Sequence, residues 1–117
     1  MDRVRSLAEL GLTARAGRMA DVTGLAVDSR AVRKGMLFAA LPGAKAHGAD
    51  FIATALQSGA AAILTDAEGA RLAVAALDGS SAALIVAQDP REALARAAAL
   101  WSAAQPETMV AVTGTNG

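Results

Sequence analysis

Three short stretches of the chain combine residue types that can do chemistry. The first, Val112-Thr113-Gly114-Thr115-Asn116-Gly117, is an apolar strand running into a glycine-framed turn. Nucleotide-binding domains present backbone N–H groups to phosphates in this way. The general phosphate-loop pattern G-x-x-x-x-G-K-[ST] would set its first glycine at position 112, which is valine, and no Lys-Ser/Thr pair follows Gly117 in the sequence. Two readings stay open on the residues alone: the opening of a phosphate loop, or a strand ending in a turn whose Asn116-Gly117 suits a hairpin. The first implies that the final residues begin a further domain and that the chain is the N-terminal piece of a longer ATP-using enzyme.

The second stretch, Val27-Asp28-Ser29-Arg30, offers a carboxylate, a hydroxyl and a guanidinium together at a strand end. That set suits a hydrogen-bonded site for a polar ligand. It equally suits a turn in which Asp28 and Arg30 satisfy each other. The third, Pro42-Gly43-Ala44-Lys45-Ala46-His47-Gly48, is a small-residue loop with one ammonium. Its glycines permit close backbone approach, and Lys45 can meet a diphosphate, although a plain connection has the same composition. His47 is the only histidine, and alone it builds neither a metal site nor a triad. No catalytic residue and no metal ligand is assigned within the chain.

Composition narrows the function classes. At 117 residues the chain is one ordinary domain in size, large enough to bury a core without staples. With no cysteine it has no disulfide or thiolate site, and a reducing cytoplasm is the expected setting. Eleven basic and eleven acidic residues balance, which argues against a nucleic-acid surface driven by phosphate contacts. Two Phe, one Trp and no Tyr leave few stacking platforms. No stretch reaches the roughly 18 uncharged apolar residues of a membrane span.

The elements that must position these stretches follow from pattern. Val4, Leu7 and Ala8 have helical spacing over residues 3–10, with Gly11 as a stop. Strands are expected at Leu25-Ala26-Val27, Met36 to Leu41, Ala61 to Leu64, Ala83 to Val86 and Met109 to Val112. Asp50 is expected to cap a helix whose apolar face is Phe51, Ile52, Ala55 and Leu56 and which ends at Gly59. Residues 67–77 read as a helix interrupted by Gly69. Asp89-Pro90-Arg91-Glu92 carries a capping box with proline at the first helical position, opening a helix whose core face is Leu94, Ala97, Ala98 and Trp101. Arg91 and Arg96 read as solvated or beside a domain interface. The final strand has no evident local partner. Strand–helix alternation implies an α/β fold, a small Rossmann-like mixed sheet flanked by helices.

The ordered set Asp28-Ser29-Arg30-x-Val32-x-x-Gly35-x-Leu37-Phe38, Leu41-Pro42-Gly43, Gly48-x-x-Phe51-Ile52, Gly59-Ala60-x-Ala62-Ile63-Leu64, Asp89-Pro90-Arg91-x-Ala93-Leu94 and Val112 to Gly117 resembles the Mur ligases. These are the cytoplasmic ATP-dependent enzymes that extend the peptide of the peptidoglycan precursor. Within the family, Asp89-Pro90-Arg91 and Leu41-Pro42-Gly43-Ala44 look most like the members that add the third residue. The sister ligase that adds D-Ala-D-Ala, which shares the Asp-Ser/Thr-Arg motif, is the alternative, and a self-sufficient non-catalytic nucleotide-binding module is a second. One departure is His47, where the family usually has aspartate.

The resemblance implies a UDP-substrate-binding domain at 1–106 and, at 107–117, the first strand and truncated phosphate loop of a central ATP-binding domain. It implies that Val27, Ser29, Ala44, Lys45 and Ala46 hold the UDP end of UDP-N-acetylmuramoyl-L-Ala-D-Glu, and that Gly114, Thr115, Asn116 and Gly117 begin the ATP loop. ATP and Mg²⁺ are then cofactors of the full-length enzyme and not of these residues alone, which are expected to be inactive by themselves. In the family, ATP phosphorylates the substrate carboxylate and the incoming amine attacks the acyl phosphate. The partners implied are that nucleotide substrate and the central and C-terminal domains of the same enzyme, with no nucleic acid and no membrane.

Overall fold

Apolar runs of three to four residues separated by helical segments build a parallel sheet, because strands buried on both faces need no polar alternation. The computed structural model describes residues 5–7, 10–12, 14, 20–42, 48–78, 80–104 and 112–113. Strands β3 (Leu25–Ala26), β4 (Leu37–Ala39), β5 (Ala62–Thr65), β6 (Ala83–Val86) and β7 (Val112–Thr113) form one sheet in the order β6-β5-β4-β3-β7. Every pairing in it is parallel, with Ala26 opposite Phe38 and Phe38 opposite Ile63. Antiparallel pairing is confined to a separate couple, β1 (Arg5–Ser6) with β2 (Asp21–Val22).

The α/β class expected from the sequence is the one observed, with differences of detail. Asp50 does not cap its helix: it lies inside a 3-10 turn over Gly48–Phe51, and Phe51 holds the cap position with no side-chain hydrogen bond. Arg5–Ser6 is a strand and not part of a helix, its pairing with β2 prolonged by the Leu7 N–H to the Ala20 carbonyl at 3.0 Å. Val4 and Ala8 lie outside the described residues. Gly69 does not break its helix: its N–H takes the Asp66 cap at 2.7 Å inside α2 (Ala67–Leu72), and the break falls at Ala73 before α3 (Val74–Asp78). Glu92 does not close a capping box, because its carboxylate pairs with Arg96 one turn on, while Asp89 accepts the Glu92 N–H at 3.1 Å. And β7, which has no partner near it in sequence, lies along β3. That pairing joins residues 87 apart, Leu25 with Val112, which no local pattern displays.

Period-two alternation divides the interior in two. Leu25, Leu37, Ala39, Ala62, Leu64 and Ile85 pack with Leu7, Leu10, Val22 and the Leu94, Ala97 and Trp101 stripe of α4 (Pro90–Ala104). On the opposite face Ala26, Phe38, Ala40 and Ile63 pack with Ile52 and Ala55 of α1 (Ile52–Gln57). Helix α1 ends as the sequence proposes. Gly59 takes φ 98, its N–H meets the Leu56 carbonyl, and the Ala60 N–H reaches the Ala55 carbonyl, both at 3.1 Å. Among the described residues no helix is long and apolar enough to cross a membrane.

Candidate functional site

In an all-parallel sheet, ligands gather outside the carboxyl ends of the strands, at the point where strand order reverses. The chain runs outward from β3 through β4 and β5 to β6, and then returns to the other side of β3 as β7. The reversal therefore lies at β3, and the segment leaving its carboxyl end is Val27-Asp28-Ser29-Arg30.

Its local structure is set by Asp28. That residue is extended, and its carboxylate accepts the Arg30 backbone N–H at 2.9 Å, capping a 3-10 turn over Ser29–Ala31. The same carboxylate accepts from Arg30 Nε at 3.0 Å and Nη2 at 2.7 Å. Hydrogen bonding by the Arg30 guanidinium, and then by its backbone N–H, lowers the Asp28 pKa to about 2. The plainer sequence reading, in which these two residues satisfy each other, is thus the observed one, and the remaining polar side chain of the motif is the buried Ser29 hydroxyl.

A depressed carboxylate contributes its stability above the ordinary carboxylate range, and that contribution fades as pH falls from about 4 through about 2. The Asp28 carboxyl carbon is therefore expected to titrate near 2 by NMR, and Arg30→Ala to return its midpoint toward the ordinary value near 4. An unmoved midpoint would mean that the fork does not form in solution. The Arg30 side chain is 87% exposed, so the pair fixes the turn more than it stabilises the fold.

Val27, Asp28, Ser29, Arg30, Phe51 and Thr54 line a cavity of 600 Å³. That volume is within the range of small-molecule sites. Phe51 is a correction to the sequence reading: expected on the core face of its helix, it is 50% exposed. The reason is local. A 3-10 turn over Gly48–Phe51 precedes α1, which starts at Ile52, so Phe51 is turned off the Ile52–Ala55 face and toward the cavity.

The next strand end is anchored three times. The Ala40 carbonyl accepts from Thr65 Oγ1 at 2.9 Å, the Leu41 carbonyl from the Gly48 N–H at 2.7 Å, and the Pro42 carbonyl from Arg91 Nη2 at 2.6 Å. Arg91, exposed as the sequence suggests, also ties the start of α4 to the mouth of the loop that follows β4. Nothing in the sequence marked Thr65, and the Asp89-Pro90-Arg91 motif was the only signal for Arg91.

Of the residues proposed from sequence, Val27 and Ser29 come together at the cavity. Ala44, Lys45, Ala46 and His47 lie outside the described residues, as do Gly114, Thr115, Asn116 and Gly117. A second hollow of 460 Å³ lies at the end of β6 beside Gly11, Gln88 and Asp89, and its Glu92 and Arg96 are paired with each other. Among the described residues no group of three or more His, Asp or Glu is arranged to hold a metal ion.

Residues 21–102 match the family model described as Mur ligase family, catalytic domain. The UDP-N-acetylmuramoyl-L-alanyl-D-glutamate–2,6-diaminopimelate ligase of Bradyrhizobium diazoefficiens is 50% identical over 97 residues, which are 83% of this chain and 18% of that one. The MurF ligase of Thermotoga maritima, solved in complex with ADP, superposes with a TM-score of 0.54 at 28% identity, over 70% of this chain and 17% of that one. A MurF structure from Acinetobacter baumannii gives a TM-score of 0.61 over 80% of this chain and 19% of that one, at 19% identity, a likeness of fold alone. The chain spans about a fifth of the length of the relatives it matches.

Proposed function

Because the chain belongs to the Mur ligase family, we propose that residues 1–106 anchor the UDP moiety of UDP-N-acetylmuramoyl-L-Ala-D-Glu for a cytoplasmic MurE-type ligase. In this reading residues 107–117, whose Val112–Thr113 pairs here with β3, lead into the ATP-binding domain, and the complete enzyme joins the third residue, meso-diaminopimelate, through an acyl phosphate. The observation that carries it is the 600 Å³ cavity at the β3 carboxyl end, where Val27 and Ser29 meet. Backbone groups, a hydroxyl and the Lys45 ammonium suit uracil, ribose and diphosphate oxygens without a metal.

The third-residue assignment is favoured by 50% identity to a diaminopimelate ligase, against 19–28% to MurF structures. Turnover by the complete enzyme with diaminopimelate or with D-Ala-D-Ala separates the two. ATP and Mg²⁺ belong in this reading to Gly114, Thr115, Asn116, Gly117 and the domain they begin, where they supply the phosphoryl chemistry and its charge stabilisation. The 117 residues by themselves are then expected to hydrolyse no ATP.

The test is an amide-resolved NMR titration with UDP and with the full nucleotide substrate. Shifts are expected at residues 27–30 and 43–48 and not with ATP. Ser29→Ala and Lys45→Ala should each weaken UDP binding by about 1 kcal/mol, or somewhat more where the lost bond is charge-assisted. Equal affinity of both variants and the parent would show that the pocket is misplaced.

A further inference from the structure

We infer that the open ring of Phe51 is the surface on which the pyrimidine base of the bound nucleotide lies. This rests on the reading of the β3 cavity as the uridine-nucleotide site.

The chain has three aromatic side chains, and two of them are spent on the interior: Phe38 is 1% and Trp101 5% exposed. Phe51, at 50%, is the one that keeps a ring available to a ligand, and it stands in the cavity wall with Val27, Ser29 and Thr54. Neither helix chemistry nor core packing accounts for a phenylalanine there. It occupies the N-cap of α1, where Ser, Thr, Asp or Asn would bond a free N–H, and it makes no capping hydrogen bond. Thr54, three residues on, shares its side of the helix, while Ile52 and Ala55 face inward.

The cavity therefore presents an apolar ring, a valine and two hydroxyls. A flat base rimmed by polar groups needs that combination: a face to stack on, and partners at its edge. Stacking on an aromatic ring is tolerant of base identity, because every base has a π-face. Phe51 accordingly supplies grip on the base, and the choice of uracil falls to the polar groups around Ser29.

The test uses this chain with UDP, CDP and ribose 5-phosphate as probes. Phe51→Ala should weaken UDP and CDP alike, by about fivefold or more, and leave ribose 5-phosphate unchanged. Phe51→Trp should retain UDP binding. In the parent, nuclear Overhauser contacts should join the Phe51 ring protons to uracil H6. Thermal unfolding of both variants establishes that they fold. If Ser29→Ala weakens UDP and Phe51→Ala does not, the inference falls and the nucleotide site stands. Equal loss for ribose 5-phosphate would also overturn it, since the ring would then act on the sugar-phosphate and not the base. If the parent binds no UDP at millimolar concentration, the inference and the site fall together.

Discussion

Truncating Phe38 to alanine is expected to lower the free energy of unfolding by about 3–5 kcal/mol. The ring is 1% exposed, sits in the middle of β4 with β3 and β5 on either side, and packs among Ala26, Ile63, Ile52 and Ala55. Its neighbours are strand and helix residues fixed by backbone hydrogen bonds, so the space left behind collapses only in part. Against a usual total of about 5–15 kcal/mol, such a loss places the variant near its unfolding threshold. Urea titration followed by far-UV circular dichroism measures it. A shift below about 1 kcal/mol would show that Phe38 is not enclosed by these neighbours. The same truncation at half-exposed Phe51 should cost no more than about 1 kcal/mol, so the two phenylalanines separate fold from ligand contact.

Gly48→Ala is expected to destabilise by about 1–3 kcal/mol and to weaken UDP binding with it. A Cβ at Gly48 would lie 2.6 Å from Leu41 N and 2.9 Å from both Ala40 C and Leu41 O. All three are backbone atoms, and the strand end that carries them is held by Thr65 Oγ1 and by the Ala40 N–H to the Leu64 carbonyl at 2.7 Å. No flexible side chain is available to yield. Gly24→Ala is the matched control, because the added methyl meets the terminus of a flexible side-chain type, Met36 Cε, at 3.2 Å. Differential scanning fluorimetry should show a lowered Tm for the first and a much smaller change for the second. Equal Tm values would mean that the Leu41–Gly48 approach is looser than described.

The parallel strands were legible because each is a short apolar run bounded by Gly, Asp or Pro, and α4 because Asp89-Pro90 and the Leu94–Trp101 stripe agree. Two features of the fold were not. The spacing of Val4, Leu7 and Ala8 suits a helix, yet Arg5–Ser6 is claimed by β2 through tertiary pairing. Phe51 and Ile52 read as one apolar face until the 3-10 turn before them rotates the first away. The candidate cavity was legible in part: Val27 and Ser29 line it where the motif and the strand reversal coincide, while Asp28 and Arg30 are occupied with each other. Phe51 as a residue of the cavity wall was invisible, since hydropathy assigns any phenylalanine to the interior.

The threefold anchoring of Ala40, Leu41 and Pro42 has a consequence for redesign. Donors from β5, from Gly48 and from α4 each hold one carbonyl, so both ends of the stretch 43–47 are pinned by residues outside it. These three hydrogen bonds use no side chain between Pro42 and Gly48. The five intervening residues can therefore be exchanged as a unit while the bonds that frame them stay in place.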